Sequence, residues 1–108
     1  LTYHSYRLYN SSMIIEQRVK DEQLVRIFKA LADPTRLEII RTLYRSGREM
    51  NCGEVGEQCE ASKSNASYHF RLLREAGLIV VRKEAQSKLI RLNLEVFENY
   101  LPSFLTTL

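Results

Sequence analysis

Ser62-Lys63-Ser64-Asn65-Ala66-Ser67-Tyr68-His69-Phe70-Arg71-Leu72-Leu73-Arg74-Glu75-Ala76-Gly77-Leu78-Ile79 decides how this chain is read. Ser62 supplies a hydroxyl at the N-cap position, no helix breaker interrupts Lys63 to Ala76, and Gly77 stands where a helix stops. At about 100° per residue, Ala66, Phe70 and Leu73 share one side of that helix, and Ser64, Ser67, Tyr68 and Arg71 fall opposite. The helix is therefore two-faced: one side has apolar groups to bury, the other has hydroxyls, a phenol and a guanidinium. A merely solvated face would carry more Glu and Lys. These groups suit base edges and phosphates in a DNA major groove. His69 lies at the boundary, where partial burial or a phosphate hydrogen bond explains it better than catalysis or metal binding.

Working toward the N-terminus, Asn51 and Glu54 have capping-box spacing and predict a short helix from Cys52 to about Glu60. Before it, Asp33-Pro34 opens a helix with apolar residues Leu37, Ile40, Leu43 and Tyr44, ended by Gly47. Earlier still, Leu24, Ile27, Phe28 and Leu31 recur at i, i+3, i+4, i+7 and predict a helix from about Lys20 to Ala32. Leu1 to Ser12 hold three tyrosines without periodicity, ahead of Met13. Residues 1–15 thus read as an appended extension, disordered or loosely packed, before a single domain over 16–108.

Toward the C-terminus, Leu78-Ile79-Val80-Val81, a charged run from Arg82 to Lys88, and alternating Ile90, Leu92 and Leu94 predict a β-hairpin. Its turn, near Glu84 to Ser87, lacks Asn-Gly chemistry, so the sequence does not name its type. The tail carries Val96, Phe97, Tyr100, Leu101, Phe104 and Leu105 at helical spacing, and Pro102 predicts an early end or kink near Leu101. The sum is a mainly α chain of about five helices with a two- or three-stranded antiparallel sheet. A short helix, a tight turn, a longer helix and a basic hairpin make a winged helix-turn-helix.

Charge supports that reading through its distribution, because the net charge of the 108 residues is only +3. From Ser62 to Arg91 seven cations face two acids, a net of +5, and the rest of the chain sums to −2. A basic segment on an otherwise neutral chain is the footprint of a phosphate-facing surface. Arg82, Lys83 and Lys88 lie on or beside the wing turn, where they can reach a minor groove or the backbone. The candidate DNA-binding set is Ser62, Lys63, Ser64, Asn65, Ser67, Tyr68, His69, Arg71, Arg74, Arg82, Lys83 and Lys88. No Gly-rich phosphate loop, nucleophile elbow or metal-ligand cluster points to an enzyme, and no cofactor is implied. No apolar run approaches the roughly 20 residues of a membrane span and no signal segment opens the chain, so a cytoplasmic protein is expected. A winged helix used only for docking proteins is the rival reading, but such a helix should expose larger apolar anchors.

Two runs carry a resemblance. Phe28-Lys29-Ala30-Leu31-Ala32-Asp33-Pro34-Thr35-Arg36-Leu37-Glu38-Ile39-Ile40 looks like the signature helix junction of ArsR/SmtB repressors, and Ser62 to Ile79 resembles that family's recognition helix and its exit. The similarity covers about Leu24 to Leu94. It implies a homodimeric repressor that blocks a promoter and releases it on a signal, with Ser62, Ser64, Ser67, Tyr68, His69 and Arg71 in the DNA-reading segment. Metal-sensing members place a C-x-C pair at the start of the third helix, whereas this sequence has Asn51 and Gly53 at those positions and Cys52 between them. The last helix offers Glu95 and Glu98 without a histidine, so no metal site is expected. Cys52 joined by His4 is the one combination left.

Cys52 and Cys59 read as small buried hydrophobes, with thiol-based redox sensing as the alternative. Seven residues along one helix is about 10 Å, beyond the roughly 7 Å between Cα atoms that a disulfide spans. A bond between them would need unwinding or a second subunit. The remaining apolar surplus, Leu24, Ile27 and Phe28 on the first helix and Tyr100, Leu101 and Phe104 in the tail, is the expected homodimer interface. The sequence does not reveal the inducer.

Overall fold

A computed structural model describes residues 11–108 of the chain, without the side chains of Ser11 and Lys63. Residues 1–10, and with them His4 and most of the expected extension, lie outside the described residues. The first helix, α1, spans Ser11–Leu31 and so begins well before Lys20. From Ser12 to Glu22 its side chains are exposed except Ile14, which is why no burial periodicity announced the early turns. Helix-compatible residues and a Gln17 Nε2 to Asp21 Oδ1 bond at 2.9 Å support them locally.

Asp33 then caps α2 (Pro34–Ser46), its Oδ2 accepting the Arg36 N–H at 3.0 Å, and Gly47 ends it at φ 63°. That left-handed position favours glycine, and the Gly47 N–H returns to the carbonyls of Leu43 and Tyr44. The buried face of α2 is Arg36, Ile39, Ile40 and Leu43; Tyr44, expected inside, is 37% exposed. A two-residue strand, β1 (Met50–Asn51), precedes α3 (Cys52–Gln58). Asn51 Oδ1 accepts the Gly53 N–H at 2.8 Å and Glu54 Oε1 accepts the Asn51 N–H at 3.4 Å, so the reciprocal cap is real. The helix stops two residues short of Glu60, which takes φ 54° while the Ala61 N–H reaches the Gly56 carbonyl at 3.0 Å.

Ser62 caps α4 (Lys63–Glu75), accepting the Asn65 N–H at 3.3 Å. Gly77 at φ 78° lets the Leu78 N–H close on the Leu73 carbonyl and turns the chain into β2 (Ile79–Glu84) and β3 (Ser87–Leu92). The sheet is antiparallel in the order β1-β3-β2, with Met50 opposite Ile90 and Ile79 opposite Leu92. Ala85 and Gln86 form a two-residue loop in which only Ala85 has positive φ, at 53°, the pattern of a type II′ hairpin turn. Then α5 (Leu94–Tyr100) ends at Leu101 as expected, and Phe104 stacks on Phe97 with ring centroids 6.2 Å apart.

One core joins these elements: Ile27, Ile39, Ile40, Leu43, Met50, Val55, Leu73, Leu78, Ile90 and Phe97. It is drawn from all five helices and all three strands or their borders. Shortening a side chain such as Leu73 would cost about 2–5 kcal/mol. The packing holds α3 and α4 close enough that a Cβ built on Gly56 would stand 3.5 Å from the Ala66 Cβ. That close crossing sets which face of α4 turns outward.

Candidate nucleic-acid interface

The buried side of α4 carries Ala66 and Leu73, with His69 and Phe70 half-buried. Ser64, Asn65, Ser67, Tyr68, Arg71 and Arg74 are exposed. The wheel drawn from sequence therefore gives the right faces. Ser62 is exposed but its hydroxyl caps the helix, and the Lys63 side chain lies outside the described residues. The Arg71 guanidinium lies over the Tyr68 ring, 5.5 Å from its centroid. Stacking holds a planar fork and a phenol side by side, the geometry suited to bidentate contact with a base edge.

His69 does not face outward with them. Its Nδ1 is 3.1 Å from Arg36 Nη1 and 3.9 Å from Asp33 Oδ2. A guanidinium has only donors, so Nδ1 accepts and the ring proton belongs on Nε2. Arg36, 9% exposed, also donates through Nε to the Ala30 carbonyl at 2.6 Å and through Nη2 to that of Lys29 at 3.4 Å. The same junction acts on Asp33, whose carboxyl is held below the usual range by the Arg36 backbone N–H and by the nearby positive charge. Sequence reading missed Arg36, because the partners of its side chain sit on two other helices, α1 and α4.

The wing separates cations that the sequence had grouped. Lys83 and Lys88 are direct register partners across β2 and β3, both exposed, and neither is in an ion pair among the described residues. Arg82 projects from the other face of the sheet, since successive strand residues alternate. There its Nε and Nη2 donate to Glu49 at 2.9 and 2.8 Å, and Nη2 also to Glu84 at 3.0 Å. The bond from Arg82 pulls the Glu49 carboxyl below its ordinary value. Arg82 is thus ion-paired and stands on the opposite face of the wing from Lys83 and Lys88.

Comparison with known proteins fits this geometry. A family profile described as Helix-turn-helix domain matches residues 31–82. The "Uncharacterized HTH-type transcriptional regulator YceK" of Bacillus subtilis (strain 168) is 53% identical over 102 residues, 94% of this chain and 100% of that one. The "Transcriptional repressor SdpR" of the same organism is 33% identical over 68% of this chain and 79% of its own. A crystal structure of the ArsR family transcriptional regulator RHA00566 superposes with a TM-score of 0.67 at 26% identity, covering 81% of this chain and 87% of that one. This chain belongs to the ArsR family of helix-turn-helix transcriptional regulators. The winged helix-turn-helix fold and the family resemblance read from sequence are both correct.

As an ArsR-family chain it departs from the metal-sensing pattern in a structurally clear way. Asn51 Oδ1 is committed to capping α3, and Gly53 offers no ligand. Cys52 and Cys59 are half-buried against the core. Burial pushes both thiols up; Lys88 partly opposes this at Cys52, and a Thr42 hydroxyl 3.7 Å away partly opposes it at Cys59.

Of the expected interface residues, Ile27 is completely buried inside the protomer and has no surface to give a partner. Its neighbour Val25, not foreseen, is 49% exposed beside Phe28 at 53%. Leu24, Tyr100, Leu101 and Phe104 are half-buried, the last against Phe97. Among the described residues, no helix is long and apolar enough to cross a membrane.

Proposed function

We propose that this regulator is a cytoplasmic homodimeric repressor that reads an inverted-repeat operator through α4 and anchors its wing on the flanking DNA backbone. The observation that carries the reading is the exposed Ser64, Ser67, Tyr68 and Arg71 face beside a Lys83/Lys88 pair that no acid neutralises among the described residues. Arg71 and Tyr68 read base edges, Ser64, Asn65 and Ser67 contact bases or phosphates, and Arg74, Lys83 and Lys88 supply phosphate contacts. One helix reads only a few base pairs, so two copies related by a two-fold axis are needed. Exposed Val25 and Phe28, with half-buried Leu24, Tyr100, Leu101 and Phe104, are the surface for the second copy. Repression is the mode carried by the printed name of the relative SdpR.

The test is a titration on random and promoter DNA at two salt concentrations, with footprinting upstream of the protein's own gene. A protected inverted repeat, specific affinity above that for random DNA, and reporter expression that rises on deletion support the reading. Equal affinity for both DNAs at all salt concentrations, or a monomer at micromolar concentration, would overturn it.

A further inference from the structure

Two polar struts tie α4 to α1, and they meet α4 at different heights. At its end, Gln23 Nε2 donates to the carbonyl of Ala76 at 2.8 Å. That carbonyl is one of the acceptors a helix leaves unmatched at its C-terminus. A Cβ built on Gly77 would stand 3.5 Å from Gln23 Nε2, so the Gln23 side chain lies in van der Waals contact with the turn that ends α4. In its middle, His69 meets Arg36, which grips the carbonyls of Lys29 and Ala30 in the last turn of α1. A cation at a helix C-terminus is favoured by the helix dipole, so Arg36 is a well-satisfied buried charge and a rigid link.

His69 and Ala76 are about 10 Å apart along the α4 axis. One attachment would leave α4 free to pivot; two fix its angle. We infer that Gln23 and the Arg36–His69 pair are positioning residues that lock the DNA-reading helix to α1 and thereby set which half-site spacing the dimer accepts. The inference rests on the function proposed above, in which α1 contributes to the dimer surface and α4 reads DNA. Both recognition helices then inherit their separation from the packing of the two α1 helices. One base pair advances the half-site by about 3.4 Å and turns it by about 35°, so an α4 free to change its angle tolerates a spacer that the locked dimer rejects.

The experiment compares the full-length protein with Gln23→Met, His69→Phe and the double variant. The probe is an inverted-repeat duplex recovered from a randomised library by the wild-type protein, together with versions whose central spacer is one base pair longer or shorter. The wild type should lose about tenfold in affinity on either altered spacer, and the double variant should lose less than about threefold while remaining a folded dimer. A spacing penalty unchanged in the folded double variant overturns the inference and leaves the proposed function standing. If the double variant does not fold, Gln23→Met, which keeps the bulk at a half-buried site, is read alone by the same criterion. A wild type that recovers no duplex overturns the DNA-reading function and the spacing role with it. A DNA-free arm separates the two: nitrogen NMR of the wild type at pH 8 should place the His69 proton on Nε2. An Nδ1–H tautomer would remove the Arg36–His69 strut whatever the protein does on DNA.

Discussion

Lys83 and Lys88 stand directly opposite each other across the wing, an arrangement in which two like charges weaken the hairpin that carries them. The wing tolerates this cost at the tip of the sheet, where a phosphate would relieve it. Lys88→Glu should therefore act in opposite directions on stability and binding. The cross-strand pair becomes attractive, so thermal stability should hold or rise, by about 0.2–1 kcal/mol at most. DNA affinity should fall, and the slope of log affinity against log salt should shrink by about one unit or more. Loss of affinity with an unchanged salt slope would remove Lys88 from the phosphate contacts.

Arg71 is expected to read sequence. Arg71→Ala should cost about 1–3 kcal/mol on the operator and flatten discrimination between operator and random DNA. Tyr68→Phe keeps the stack beneath Arg71 and should cost less than Tyr68→Ala. Competition titrations check this, and an equal loss on both DNAs for Arg71→Ala would make it a phosphate contact. Arg82→Ala is the control: its charge is already matched by Glu49 and Glu84, so the salt slope should scarcely move.

The faces of α4 and the caps of α2, α3 and α4 were legible in the sequence because those signals are local: Asp33, Asn51, Ser62 and Gly77 act within a few residues of themselves. What escaped needed tertiary information. That Arg82 and Lys83 face opposite sides of the sheet follows only once β2 is known to run through Glu84, and the turn at Ala85 lacked the chemistry that would have fixed where the strand ends. Periodicity placed Ile27 on an apolar face but could not say that its own protomer covers it. Arg36 and His69 are 33 residues apart, and neither residue type announces the other.

Asp33 should make the junction acid-sensitive. Its folded value lies below the ordinary carboxylate value, so its stabilisation is fully present above the ordinary Asp pKa near about 3.9 and is lost as pH falls through the lowered folded value. Acid unfolding of the wild type should thus steepen below about pH 4. Asp33→Asn keeps an N-cap acceptor and should remove that increment of acid sensitivity, whereas Asp33→Ala should cost about 0.5–2 kcal/mol at neutral pH. Denaturant melts across pH compare the three proteins. Parallel pH profiles for wild type and Asp33→Asn would refute the linkage.

Glu60 occupies the turn between α3 and α4 at a φ that suits glycine. Glu60→Gly should raise stability by about 1 kcal/mol, because a Cβ in the left-handed region is relieved. Calorimetry measures it. A lower melting temperature would show that the Glu60 side chain contributes more than its backbone costs.

Signal response is the last expectation. Switching a dimer with metal requires several pre-arranged ligands and a differential affinity of several kcal/mol between the bound and released states. At the family's ligand positions Asn51 is a helix cap and Gly53 has no side chain. Zinc, cadmium or arsenite below micromolar concentration should therefore leave the DNA complex intact. The thiols argue the same way for oxidants. Nucleophilic and redox chemistry runs through the thiolate, and burial pushes both thiols above the usual cysteine value, so near pH 7 each holds less thiolate than a free cysteine. Iodoacetamide should react with Cys52 and Cys59 more slowly than with a free thiol at pH 7, the difference narrowing only as pH rises past the ordinary thiol value. Lys88 draws the Cys52 value down, so Lys88→Ala should slow the reaction of Cys52 and leave that of Cys59 unchanged. Release of DNA by submicromolar metal or mild oxidant, abolished by Cys52→Ser in a folded dimer, would reverse this assignment and make the start of α3 the sensor.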